Sequence, residues 1–233
     1  MRVALVSVGD ELLVGDTVNT NAAWLARQLT DRGVDVERVT VVPDRVDDIA
    51  RVVNEYRAEY DTVLVTGGIG PTHDDVTMDA VAAAVGQSME PSEAALEYIE
   101  TQRGYAREDL TEGTAEIPAD GEFIPNPVGV APGCHVENIY VLPGVPEEMR
   151  GMFGEIAEQF SGTVKHTRTV TADEPESALL DRIEDLRERF DVAVGVYPGE
   201  DVRVKITGFD AATVESAASW LRERVEAPDG QSR

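Results

Sequence analysis

The run TVLVT, Thr62 to Thr66, leads without a break into TGGIGPTHDD, a glycine-rich stretch that ends in two adjacent aspartates. A run of Val, Leu and Thr with no polar alternation suits a strand buried on both faces, as in a parallel sheet covered by helices on each side. Such a strand demands helical neighbours, and the flanking sequence supplies them. VALVSV at 3–8 is a second run of the same kind, and NTNAAWLARQL after it spaces Ala22, Leu25, Ala26 and Leu29 at i, i+3, i+4 and i+7. Asn19, Thr20 or Asn21 can cap that helix, and Gly33 can end it in a left-handed turn. VDVERVTVV then reads as a strand, 46–60 as a helix with Ile49, Val52, Val53 and Tyr56 on one stripe, and VTMDAVAAAVG as a helix closed by Gly86. Strands alternating with helices of this length predict a doubly wound, three-layer α/β/α domain around a mostly parallel sheet.

Further along, Ser92 caps a helix running to about Gly104, and YAREDLTEGTAEIPADGE has no periodicity and reads as loop. A short strand near Phe123, a Gly and Pro loop, a strand at 136–142 and a helix from about Pro146 complete this domain. Beyond Phe160 the order changes to strand (163–171), helix (175–189), strands (192–197 and 201–208) and helix (211–226). That β-α-β-β-α unit is a small α+β second domain. The expected organisation is 1–160, 161–228 and a flexible tail at 229–233.

Charge narrows the function. Forty-five Asp and Glu against 20 Lys and Arg leave a formal net charge of −25 over 233 residues, with Lys165 and Lys205 the only lysines. The acids are dispersed instead of forming a tail, which fits a protein of a salt-adapted organism, and no basic footprint for nucleic acid is visible. Cys134 is the single cysteine, so an internal disulfide and a cysteine zinc cluster are both excluded. The start MRVALVSVGDELL is too short for a membrane span and lacks a cleavage region, so a cytoplasmic location with no membrane partner is expected.

In an open α/β sheet, ligands collect at the carboxyl ends of the strands. Loops carrying Gly9, Asp10 and Glu11, then Asp44, then Thr66 to Asp75, and finally Gly144 and Pro146 all belong at that edge. Gly67, Gly68 and Gly70 let backbone N–H groups approach an anion, with the start of the helix near Val76 pointing the same way. The loop is neither a P-loop nor a G-x-G-x-x-G fingerprint. An anion beside Asp74 and Asp75 is repelled unless a divalent cation intervenes, and Mg²⁺ characteristically bridges one or two carboxylates to phosphates. The same residues admit plainer roles: Asp75 or Asp44 as a helix cap or turn residue, Asp10 and Glu11 as surface charge, His73 as a loop hydrogen-bonder, and PGVPEE as a proline-marked helix start.

The segments VGDELLVGDTVNTNAAWLA, TGGIGPTHDDVT, NPVGVAPG and LPGVPEEM, in this order and spacing, closely resemble the amino-terminal domain of the CinA family, part of the molybdopterin-binding superfamily shared with MoaB, MogA and gephyrin. The resemblance covers about residues 1 to 155, and the 160–228 unit resembles the smaller domain that follows in CinA-like proteins. The nicotinamide mononucleotide deamidase domain of full-length CinA is not expected here. The resemblance implies a pocket for a nucleotide or pterin phosphate and metal-dependent hydrolysis of ADP-ribose or a similar dinucleotide, with Mg²⁺ or Co²⁺. It makes Asp75 and then Asp44 the catalytic candidates, with Asp75 and Asp74 as metal ligands. It assigns ligand contacts to Gly9, Asp10, Glu11, Asn19, Asn21, Thr66, Gly67, Gly68, Gly70, Pro71, Thr72, His73, Asn126, Gly144 and Pro146. It also implies a homo-oligomer, dimer or trimer. One departure stands out: TEGTAEIP keeps Ala115 and Pro118 of the family's turn but lacks its lysine. A molybdopterin adenylyltransferase and a non-catalytic pterin or nucleotide module are the alternatives.

Overall fold

A computed structural model describes residues 1–111 and 113–227. Within these the chain forms two compact units, one spanning Met1–Gly162 and the other beginning at Thr163. The tail expected at 229–233 lies outside the described residues.

In the first unit β1 (Arg2–Val8) is followed by a short α1 (Asp10–Leu13), α2 (Thr20–Asp31), β2 (Asp35–Val42), α3 (Val46–Glu59), β3 (Thr62–Thr66) and α4 (Thr77–Val85). β4 (Met89–Pro91), α5 (Glu93–Tyr98), β5 (Glu116–Pro118), β6 (Glu122–Ile124), β7 (Gly133–Val136), β8 (Ile139–Leu142) and α6 (Pro146–Ile156) complete it. The main sheet runs β2-β1-β3-β8-β7-β6, parallel across its first four strands and antiparallel beyond β8.

The period of two along each strand sorts its side chains into two cores. Ala4, Val6, Val63 and Val65 pack with Ile49, Val53 and Val81 of α3 and α4. Val3, Leu5 and Leu64 pack with Leu25 and Leu29 of α2 and with Met149 and Phe153 of α6. Every residue of β3 is buried, as its uninterrupted apolar run requires. Three layers follow directly from that alternation.

Two stretches differ from the sequence reading. The single strand expected at 136–142 is a hairpin, β7 and β8, turning at Glu137 and Asn138. Glu137 adopts φ 53°, a conformation ordinarily given to glycine, so no glycine marks the turn in the sequence. Asn138 holds it in place by donating from Nδ2 to the carbonyls of Arg57 (3.0 Å) and Tyr60 (3.1 Å). The stretch read as loop after Gly104 contains β5, which pairs antiparallel with β4 at three residue positions, too few to give a periodic signal.

The second unit comprises β9 (His166–Ala172), α7 (Glu176–Arg189), β10 (Ala193–Tyr197), β11 (Val202–Gly208) and α8 (Ala211–Arg222). Its antiparallel sheet has the order β10-β11-β9. Val170, Val202, Val204 and Ile206 pack with Leu179, Leu186, Val214 and Leu221 of the two helices. The helices cover one face of the sheet.

Candidate functional site

The chain passes from β1 to β2 on one side of the sheet and then returns to β3 on the other side of β1. That reversal makes the gap between the carboxyl ends of β1 and β3 a topological switch point, the place where an open α/β sheet presents its ligand crevice. Three loops meet there through glycine. Gly67 has φ 102°, and a Cβ on it would stand 2.3 Å from the Val8 carbonyl oxygen. Gly68 has φ 64°, and a Cβ there would stand 2.4 Å from Thr77 Oγ1 and 3.6 Å from Asp44 Oδ1. A Cβ on Gly144, after β8, would stand 3.3 Å from the Cα of Gly67. Side chains at these positions would force the loops apart. Among the described residues, the N–H groups of Gly68, Ile69 and Gly70 have no acceptor, which leaves a row of donors at the edge.

The acids cluster beside these donors. The Asp10 N–H donates to Asp44 Oδ2 at 2.7 Å, joining the loops after β1 and β2, and the Gly9 N–H donates to the Val42 carbonyl at 3.1 Å. Burial pushes the Asp44 carboxyl above the usual carboxylate range; the Asp10 N–H opposes this, while the charges of Asp10, Glu11 and Asp74 push it further up. Asp75 Oδ2 accepts from the Thr72 N–H at 3.0 Å and the Thr72 hydroxyl at 2.5 Å, closing the Pro71–Asp75 turn. Its other oxygen is free of that turn. Helix α4 begins after Val76 with no side-chain cap, and α3 begins after Arg45 with none. Neither aspartate is therefore a helix cap. The His73 side chain is fully exposed, 3.9 Å from Asp74, and makes no hydrogen bond within its loop among the described residues. Pro146 occupies the first turn of α6, where its missing N–H costs nothing.

Two hollows flank the glycine ridge. One, of about 180 Å³, is formed by Gly70, Pro71, Thr72 and Asp75 facing Gly113 and Glu116. The other, of about 100 Å³, is formed by Glu11, Asn19, Asn21, Thr66, Gly144 and Pro146. They share no lining residue, so Asp75 and Gly144, expected in one cleft, lie in different ones. No lysine or arginine lines either. Glu116, which directly follows Ala115 in the segment that lacks the family's lysine, lines the same hollow as Asp75; Glu112 of that segment lies outside the described residues.

The asparagines separate by role. Asn19 caps α2 by accepting from the Ala22 N–H at 3.1 Å and ties that helix to β1 by donating to the Ser7 hydroxyl at 2.9 Å. Asn21 donates to the Gly144 carbonyl at 2.7 Å, while its buried Oδ1 has no partner among the described residues. Asn126, expected to touch ligand, is only 1% exposed. Its amide donates to the Ala131 carbonyl and to Glu148, and its oxygen accepts from the N–H groups of Val128 and Gly129. Both ends being engaged, Asn126 shapes its own loop and lines neither of the two hollows.

One residue escaped the sequence reading. Thr77, the first residue of α4, is 0% exposed, and its hydroxyl has no hydrogen-bond partner among the described residues. A buried, unpaired hydroxyl against Gly68 is costly unless something else bonds it. The signal was present in DDVT as a polar residue opening a mostly apolar helix.

Asp74 and Asp75 are the adjacent carboxylates that could hold a divalent cation here. Among the described residues no group of three metal-ligating side chains is preformed, but Mg²⁺ commonly takes one or two carboxylates and completes its shell with water and phosphate. Asp74 and the free oxygen of Asp75 can offer that pair. Cys134 is excluded as a nucleophile: burial, and secondarily Glu122, pushes its thiol up to about 12.

The class is thus an α/β domain with a glycine-walled, carboxylate-rich crevice at its switch point. Residues 4–163 match the family model described as "Probable molybdopterin binding domain". A protein of Archaeoglobus fulgidus is 37% identical over 225 residues, covering 96% of this chain and 97% of the relative. A CinA-like protein of Geobacter metallireducens is 35% identical and covers the whole chain, which spans 62% of that relative. Among solved structures, the protein CinA of Thermoplasma acidophilum, of unknown function, superposes with a TM-score of 0.63 at 38% identity, covering 68% of this chain and 97% of that one. The chain belongs to the molybdopterin-binding domain family and is similar to CinA-like proteins. Among the described residues no helix is long and apolar enough to cross a membrane.

Proposed function

We propose that the chain is a metal-dependent hydrolase of the pyrophosphate bond of ADP-ribose or a related dinucleotide. The observation that carries this reading is the set of carboxylates around Asp44, beside unoccupied glycine N–H donors and with no lysine or arginine in the lining. A polyanion is repelled by such a cluster unless a dication neutralises it. The two hollows support a ligand with two ends: each is below the roughly 300 Å³ at which pockets for drug-sized ligands begin. A nucleoside in one and a sugar phosphate in the other would lay the pyrophosphate across Gly67–Gly70.

In this reading Asp74 and Asp75 would hold a cation, which when bound would supply charge neutralisation and water activation. Asp44, whose carboxyl burial pushes above the usual carboxylate range, accepts the proton of the attacking water. The water oxygen bonds to one phosphorus, the bridging P–O bond breaks, and the bridging oxygen leaves on the other phosphate. The N–H groups of Gly68 to Gly70 and the Thr77 hydroxyl stabilise the charge that develops. The products are AMP and ribose 5-phosphate. The exposed Leu13, Val14, Val18 and Val145, adjoining the smaller hollow in sequence, support association into a homo-oligomer, which light scattering in solution tests.

The test is release of AMP from ADP-ribose with Mg²⁺ or Co²⁺, abolished by EDTA and by Asp44→Asn. The second reading, a molybdopterin-binding protein, either a molybdopterin adenylyltransferase or a module without hydrolysis, is favoured by the family match and by the lysine missing from TEGTAEIP. Absence of AMP with either metal, together with retention of molybdopterin, would select it.

A further inference from the structure

The open face of the three-stranded sheet is built differently from the rest of the surface. The strand registers place Gly195 and Tyr197 of β10, Lys205 and Arg203 of β11, and Thr169 and Thr171 of β9 side by side, away from the helices. No acidic residue occupies an open position on any of the three strands, although Asp and Glu outnumber Lys and Arg by 45 to 20 in the chain. Glu200 and Asp201 sit in the turn between β10 and β11, beyond the end of the face. Many arginines are paired with carboxylates, among them Arg57, Arg107, Arg168 and Arg182. Among the described residues Arg203 and Lys205 have no such partner. Two neighbouring cations left unpaired amid so many acids mark an anion site.

The aromatic residue on this face is posed for stacking. A Cβ on Gly195 would stand 3.0 Å from Tyr197 Cε2 and 3.1 Å from its hydroxyl. The ring is therefore laid back along the strand over a position that has no side chain, and Tyr197 remains 49% exposed. Thr169, Tyr197, Arg203 and Lys205 together line a hollow of about 280 Å³. One aromatic face beside two cations and two hydroxyls matches a planar base that carries a phosphate.

We infer that this face is a second ligand site, for a nucleoside monophosphate, with the base on Tyr197 and the phosphate on Arg203 and Lys205. A single mononucleotide is chosen over a strand of nucleic acid because the chain's net charge of −25 repels a long polyanion, while stacking and a two-cation contact serve a small one. The inference does not depend on hydrolysis at the edge of the larger sheet.

The experiment is photolabelling of the full chain with 8-azido-AMP, followed by peptide mapping and titration with AMP, adenosine and oligo(A). Label is expected on the 193–208 segment, competed by AMP and roughly tenfold less well by adenosine, which lacks the phosphate. Tyr197→Ala is expected to weaken labelling about tenfold, through loss of base stacking, and Tyr197→Phe to retain it. The double change Arg203→Ser with Lys205→Thr is expected to remove it; the substituted side chains are exposed, and unchanged circular dichroism confirms folding. Label confined to the 66–77 loop would overturn the inference. So would competition by oligo(A) at far lower concentration than AMP, or dissociation of an oligomer by the double variant without any labelling of the wild type.

Discussion

At the carboxyl edge of the six-stranded sheet, Asp10, Glu11, Asp44 and Asp74 gather around glycine N–H donors, and neither hollow is lined by lysine or arginine. On the open face of the three-stranded sheet, Arg203 and Lys205 stand beside Tyr197 with no carboxylate among the open positions. Both surfaces suit a phosphate, by opposite means. On the reading proposed above, the first would need a dication between protein and ligand, which could also activate water; the second would meet the ligand directly and has no group that would do chemistry. The difference teaches that, in a chain this acidic, side-chain charge alone does not locate the anion site. What surrounds the charge decides.

The comparison breaks most sharply at Asp44. Asp44→Asn is expected to lower AMP release at least about 100-fold, as loss of a general base does, and to leave photolabelling of the 193–208 segment unchanged. It is also expected to raise the melting temperature at neutral pH. The folded-state pKa of Asp44 lies above its unfolded value, so its favourable contribution is present below the unfolded pKa and is lost as pH rises through the folded pKa. The variant's advantage should thus be absent in acid and grow as pH rises through that window. A variant less stable than wild type at neutral pH contradicts the burial and charge crowding assigned to Asp44.

The next largest effect concerns the scaffold of the second sheet. Arg182 forms a two-pronged pair with Glu174, at 2.8 and 2.6 Å, and Glu174 also accepts from the Glu226 N–H at 3.0 Å. Glu174→Ala is expected to destabilise the smaller unit by about 2 kcal/mol, since it removes charged hydrogen bonds around a mostly buried arginine. Because Arg182, then the Glu226 N–H, hold Glu174 below the usual range, the contribution is present above the unfolded pKa and lost as pH falls through the folded one. Denaturant titration of wild type and variant at neutral and acid pH measures it; hydrolysis of ADP-ribose should not change.

A smaller effect separates function from stability within the first site. Thr77→Val replaces an unpaired buried hydroxyl with a methyl group of the same shape, so stability should hold or rise slightly, while AMP release falls about tenfold, as when one hydrogen bond to a charged group is lost. Equal activity in the variant would place Thr77 among the merely structural residues.

The fold was largely legible in the sequence because its signals are local and repeated. β3 has no polar alternation, α2 and α3 keep their apolar stripe, and Gly86 takes the left-handed conformation that ends α4. The Glu137 turn was not legible, because a glutamate holds a conformation that tertiary bonds through Asn138 enforce. The β4–β5 pair was missed for the same class of reason: its partners are far apart in sequence and only a few residues long. At the site, the sequence carried the glycines and acids but not their division. That Asp44 faces Asp10, or that the Asn126 amide also reaches Glu148, depends on contacts between separate segments that no local pattern encodes. The open face of the smaller sheet was hidden too: Arg203 and Lys205 are two cations among many residues until the register sets them beside Tyr197.

The dependence of ligand binding on a dication bears most directly on the whole account. Affinity for the non-hydrolysable methylene analogue of ADP-ribose should be measured by calorimetry on the Arg203→Ser, Lys205→Thr background, with Mg²⁺ and then with EDTA. The account predicts binding at least about 100-fold weaker in EDTA, the consequence of setting a pyrophosphate against uncompensated carboxylates. Equal affinity with and without the cation would contradict it.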